Sequence, residues 1–77
     1  MPNRTVELDV RPILRQGEEP FSVIMDNVSK LEEGDIFVLH ATMNPVPLLK
    51  LLERKGYSHV SEQLAEDHWK VTFEPIG

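Results

Sequence analysis

The sequence predicts an α/β two-layer sandwich, βαβαββ in element order, with a four-stranded mixed sheet and two helices on one of its faces. Three observations carry this expectation. Segments that alternate apolar and polar residues stand at both ends of the chain, where they read as half-buried strands. Two stretches between them have apolar residues at helical spacing, each opened by proline and followed by glycine. Strands joined through helices need crossover connections, and the right-handed rule for crossovers puts both helices on the same side of the sheet.

The elements follow in order. From Arg4 to Val10, the residues Val6, Leu8 and Val10 fall on one side and Thr5, Glu7 and Asp9 on the other, a strand that should end at Arg11-Pro12 because proline cannot donate to a sheet ladder. Phe21, Ile24, Met25, Val28 and Leu31 mark one face of a helix over about 20–32, with Pro20 in its first turn, Glu18 and Glu19 at its positive end and Gly34 as its stop. Ile36 to Leu39 is an unbroken apolar run between Gly34-Asp35 and a polar loop, the pattern of a central strand. A second helix is expected over 45–55, with Asn44 as N-cap, Pro45 as first residue, Leu48, Leu49, Leu51 and Leu52 as its apolar side and Gly56 as C-cap. Tyr57 to Leu64 and His68 to Glu74 then form an antiparallel hairpin across Ala65-Glu66-Asp67, with Gln63 expected opposite His68. No linker or repeat divides the chain, so 1–77 reads as a single domain.

Composition excludes several functions. Eight Lys and Arg against thirteen Asp and Glu leave a net charge of −5, opposite to what nucleic acid or an anionic membrane attracts. The absence of cysteine rules out disulfides, thiolate metal clusters and a thiol nucleophile. The segment Met1 to Glu7 has no apolar core of a secretory signal, and no run approaches the ~20 apolar residues of a membrane span, so a cytoplasmic location is expected. Hydrolase elbows, zinc-protease helices, phosphate-binding loops and dinucleotide glycine patterns are all missing, and no catalytic residue, cofactor or metal site is assigned.

The strand end Leu8-Asp9-Val10-Arg11, the helix opening Glu19-Pro20 and the turn Leu31-Glu32-Glu33-Gly34-Asp35 together resemble the TusA/SirA-like sulfur-carrier superfamily. The opening Asn44-Pro45-Val46-Pro47-Leu48 looks most like its cysteine-less branch, uncharacterised bacterial domains sometimes joined to hemerythrin-like modules. The resemblance runs from about Thr5 to Phe73 and implies the sheet order 1-2-4-3, with the last strand antiparallel to the rest. The carriers use a cysteine in a Cys-Pro-x-Pro motif. Matched to Gly17-Glu18-Glu19-Pro20, that motif puts Gly17 at the nucleophile's place, so persulfide relay through this position is excluded.

Ligands of open α/β sheets sit beyond the carboxyl ends of the parallel strands. Here that edge collects Asp9, Arg11, Arg15, Gly17 and Glu19 from one loop and His40, Met43 and Asn44 from another, and these eight are the candidate ligand-binding residues. The alternative is structural: Asp9 and Arg11 brace the loop, Glu19 decorates a helix start and Asn44 is only a cap. Pro20, Pro45 and Pro47 remove amide donors from both helix starts, so a neutral or cationic polar ligand fits better than phosphate, with Arg11 and Arg15 as the reservation. His40 and His68 can pair across strands, but surface histidines facing solvent are the favoured reading, with His59 about 13 Å along its strand from the residue opposite His68. Ile36 to Leu39 is apolar on both sides while helices cover one, which leaves either an open face for a protein partner or self-association, or a stripe covered by Glu7, Lys70 and His68. Two functions stay in play: a non-catalytic binding module in bacterial redox, sulfur or metal physiology, and a small enzyme or ligand sensor built on Arg11, His40 and Met43.

Overall fold

Alternation in the first segment and helical spacing in the next set the chain's path, and the computed structural model, which describes residues 4–76, follows it with one addition. Met1, Pro2 and Asn3, where the targeting segment begins, and Gly77, the end of the expected domain, lie outside the described residues. The elements are β1 (Thr5–Asp9), α1 (Arg11–Arg15), α2 (Phe21–Ser29), β2 (Ile36–Ala41), α3 (Val46–Arg54), β3 (Tyr57–Ala65) and β4 (His68–Pro75). The sheet order is β1-β2-β4-β3. β1 runs parallel to β2, and β4 is antiparallel to both β2 and β3. This is the order and orientation that the family resemblance implied.

The added element is α1. Arg11-Pro12 was expected to end the strand in a loop, yet Pro12 lies in the first turn of a helix, where its missing N–H is not needed. Five residues are too few to show a helical period, so the pattern could not reveal it. The helix closes with the Gly17 amide on the Leu14 carbonyl and the Glu18 amide on the Ile13 carbonyl, both 3.1 Å, and Gly17 takes φ +78. That is the paired hydrogen-bond signature of a Schellman stop.

Three boundaries also differ. α2 ends at Ser29 rather than 32, and Gly34 instead serves the following turn, in which the Asp35 amide reaches the Glu32 carbonyl at 3.0 Å. α3 begins at Val46, and Asn44 is not its cap: Pro45 at φ −82, ψ 67 is the centre of an inverse γ-turn closed by the Val46 amide on the Asn44 carbonyl at 2.9 Å. In the hairpin, Ala65 lies opposite His68 and Gln63 opposite Trp69. The turn uses only Glu66 and Asp67, and the register shift between Gln63 and Ala65 absorbs the extra residue.

One side of the sheet carries the core. Phe37, Leu39 and Ala41 of β2 and Val71 and Phe73 of β4 pack with Val10, with Ile24 and Val28 of α2, and with Leu48, Leu49 and Leu52 of α3. The rings of Phe37 and Phe73, register partners, stack with centroids 5.8 Å apart. Ile13 and Leu14 of α1 lean on the same cluster, so all three helices share this face. Val38 points the other way, yet it is only 7% exposed, flanked by Glu7 on β1 and Thr72 on β4. The helix-free face is thus closed over its central apolar residue by its own neighbours. Asp35, 3% exposed, ties the entry of β1 to the turn before β2 through the Arg4 guanidinium at 2.9 Å and the Glu32 amide at 2.9 Å. The Glu32 amide, then Arg4, hold its carboxyl below the usual carboxylate range.

Candidate functional site

Because β1 and β2 are parallel while β4 runs back, the carboxyl ends of the first two strands lie beside the first residues of β4. The register puts Asp9 next to His40, and His40 next to Lys70. Alternation sends Glu7, Asp9, His40, His68 and Lys70 to the helix-free face. Sheet geometry alone therefore gathers two carboxylates, two imidazoles and an ammonium in one row.

Within the row, Glu7 Oε2 lies 2.6 Å from His40 Nε2, and His40 Nδ1 lies 2.8 Å from His68 Nε2. The two imidazole centroids are 5.1 Å apart with planes tilted by 45°. At that separation the facing nitrogens lie nearly on the line between the ring centres, the geometry of a head-on hydrogen bond. The His40 side chain is 15% exposed and Glu7 62%, so the chain runs from a wet carboxylate to a sheltered imidazole. This corrects the expectation of solvated histidines. His59 is corrected as well: it lies opposite Phe73 on the helix side, its ring 6.3 Å from that of Phe73, with a buried Nδ1 that has no partner among the described residues. The bulge in β3 places it there, away from the other two.

Next to the histidines sits a clamp. Asp9 accepts from the Arg11 backbone amide at 3.0 Å, from Nε at 3.0 Å and from Nη2 at 2.7 Å. The Arg11 side chain, against the opposing effect of burial, holds the Asp9 carboxyl at about 2. Burial first, then the charges of Arg11 and His40, lower the pKa of His68 and favour its neutral form. Arg15 reaches Asp67 of the hairpin turn at 3.2 Å, an exposed pair of little energetic weight.

Of the eight candidate residues, the structure brings Asp9, Arg11 and His40 together, with Arg15 tied to the turn that precedes His68. The rest have local duties or none visible. Gly17 stops α1, the Glu19 carboxylate accepts from the Phe21 amide at the start of α2, and Asn44 Oδ1 accepts from the Ser61 hydroxyl at 3.4 Å. Met43 is exposed. Sequence reasoning missed Glu7 as a member of the site and undervalued His68. The signal was present in part: Glu7 and Asp9 share a strand face and the sheet order makes β2 their neighbour, but the register that sets them beside His40 is seen only in the structure.

A crevice between sheet and helices, lined by Leu31, Phe37, Leu52, Tyr57 and Phe73, is too narrow to admit water and so offers no room for a ligand. Among the described residues, no group of three or more His, Cys, Asp or Glu is arranged to hold a metal ion, and no helix is long and apolar enough to cross a membrane. The family model described as uncharacterized conserved protein (DUF2249) matches residues 7–75. The chain belongs to the DUF2249 family. The match takes in β1 from Glu7 onward and every later element, so the whole row of site residues lies within the DUF2249 domain. No curated protein and no solved structure matches this DUF2249 chain.

Proposed function

We propose that this protein is a non-catalytic binding module of the cytoplasm, akin in fold to the TusA/SirA-like carriers and serving bacterial redox, sulfur or metal physiology. Its contact surface is the edge where Glu7, Asp9, Arg11, His40 and His68 meet. One observation carries the reading: Glu7, His40 and His68 form a hydrogen-bonded row on the helix-free face, beside the Asp9–Arg11 clamp at the strand ends. Polar groups so ordered at a surface are preorganised for recognition.

The kinship with the carriers rests on the sheet order and the antiparallel last strand, both of which match the resemblance. Carrier chemistry does not transfer, since Gly17 has no side chain to hold sulfur and serves as a helix stop. Arg11 and Arg15, the reservation against a neutral or cationic ligand, are both paired with carboxylates, which favours such a ligand. The sensor reading of the same edge gains from one feature: His40 is bonded at both ring nitrogens, so a ligand touching His68 is felt at Glu7. Met43 takes no part in that chain.

Amide shift mapping of the full chain against small neutral and cationic polar molecules, and against proteins encoded beside it, tests the proposal. Shifts centred on Asp9, Arg11, His40 and His68 are expected, weakened in Arg11→Met and His40→Ala. Shifts confined to the hairpin around Glu66 would overturn it.

A further inference from the structure

The roles of donor and acceptor in the row follow from counting protons. A carboxylate only accepts, so His40 Nε2 carries the hydrogen that meets Glu7. In a neutral ring the other nitrogen is then an acceptor, and His40 Nδ1 must receive the hydrogen shared with His68. His68 Nε2 is thereby fixed as a donor. That leaves His68 Nδ1 with a free lone pair, and this atom has no hydrogen-bond partner among the described residues and is not buried.

We propose that Glu7, His40 and His68 form a proton relay whose open end, His68 Nδ1, is the proton-accepting atom of the binding site, and that the ligand presents to it a hydrogen-bond donor, the ammonium or hydroxyl group of a small polar molecule. The inference rests on the binding reading of this edge and names its ligand class. When a proton reaches His68 Nδ1, the N–H bond at His68 Nε2 breaks, a new one forms at His40 Nδ1, and the positive charge settles on His40. One proton enters and one charge appears, two rings away from the point of entry.

The surroundings favour that destination. From β1, Glu7 faces His40 directly, while the Asp9 carboxylate is occupied by Arg11 of α1. From β4, Lys70 stands beside His40 in the register and its ammonium opposes charge there, while from the turn Asp67 is held by Arg15, which leaves the contact with Glu7 to decide. Glu7 is thus the carboxylate of this row that has no arginine on it, and it lies against the ring that receives the charge. Burial and the nearness of Arg11 disfavour charge on His68 itself. A charged His40 also reverses the polarity of the open end: His68 Nδ1 then bears hydrogen and repels the ammonium that it accepted when neutral.

Long-range proton–nitrogen spectra of the free, full-length protein read the tautomers directly. At pH 8 both rings should be Nε2–H tautomers, with His68 Nδ1 bare. Glu7→Leu should release His40 into a mixture of tautomers and His68 with it, although Glu7 does not touch His68. Glu7→Gln keeps an acceptor and should retain the wild-type pattern, and Glu62→Leu on β3 of the same face should alter neither ring. Ethylammonium chloride added at pH 8 should shift His68 Nδ1, and less so in Glu7→Leu. An Nδ1–H tautomer at His68, or an effect of Glu7→Leu confined to His40, would overturn the relay, and absence of an ethylammonium shift would overturn the ligand class. Because tautomers are read without ligand, failure of the relay is distinct from failure of the contact surface, which the amide mapping reads.

Discussion

The Asp9–Arg11 clamp makes a quantitative prediction about acid stability. Asp9→Asn removes the charge and keeps the shape, so the backbone amide of Arg11 retains an acceptor. In the folded protein the Asp9 carboxyl is lowered from 3.8 to about 2, chiefly by the hydrogen bonds from Arg11. That difference converts to about 2.4 kcal/mol at about 1.36 kcal/mol per pH unit. With the Asp9 side chain 40% exposed, solvent screening reduces the expected cost to about 1 kcal/mol. The folded value lies below the unfolded one, so the contribution is complete above pH 3.8 and is lost as pH falls through about 2. Urea unfolding followed by fluorescence of the single tryptophan, Trp69, measures it. At pH 7 the midpoint of Asp9→Asn should fall by about 1 M, given a slope of about 1 kcal/mol per M for a domain this small. Wild type and variant should converge between pH 4 and pH 2. An equal gap at pH 7 and pH 2 would show that the loss comes from altered packing, and the electrostatic account of the clamp would be wrong.

Three further outcomes are expected. Leu52→Ala should cost about 2–5 kcal/mol in urea unfolding, because Leu52 is 1% exposed at the centre of the helix–sheet contact, whereas the same change at half-buried Leu51 should cost clearly less. Gly17→Ala should lower stability by about 1 kcal/mol through its φ of +78 alone, since no atom lies within 4 Å of an added Cβ, and Gly17→Asn should recover part of the loss. His68 has a folded pKa below the ordinary 6.5, so its contribution is present above that value and lost as pH falls. Thermal melts should accordingly show wild type losing more stability than His68→Gln between pH 7 and pH 5.

Much of the fold was legible because local signals agreed. Val6 and Leu8 alternating with Glu7 and Asp9, the helical spacing from Phe21 to Val28, and Gly56 after Arg54 each named their element without tertiary information. What was not legible lay below the length at which periodicity speaks. The five residues of α1 make barely more than one turn, and Pro12, read as the end of a strand, is equally the start of a helix. Asn44 failed as a cap for a related reason: two prolines set the local backbone, and the γ-turn they favour satisfies the Val46 amide through a main-chain carbonyl. Proline announces a boundary in sequence, but its neighbours decide which side of the boundary is helical.

The site was legible at the level of its edge and illegible at the level of its partners. Asp9, Arg11 and His40 could be placed together because strand ends converge in any parallel pair. Glu7 was not placed there, and His68 only as the less favoured alternative, because their approach to His40 depends on register. Glu7 is opposite Val38 and reaches His40 diagonally from β1, while His68, two residues before Lys70 on β4, reaches it diagonally through the β2–β4 register. The hairpin anticipated from sequence, with Gln63 opposite His68, would have put His59 on the outer face instead of beside Phe73. A single bulged residue therefore decides whether His59 lies beside Phe73 or on the outer face with the other two histidines. Deleting Leu64, the residue within that shift, tests the register: without the extra residue Gln63 pairs with Trp69 in a regular ladder, so His59 should stay opposite Phe73 and keep the nitrogen shifts of a sheltered ring while the β2–β4 pairing persists. If the nitrogen shifts of His59 become those of a solvent-exposed ring in a folded deletion variant, then the pairing of β3 with β4 is not what fixes which histidine faces the site.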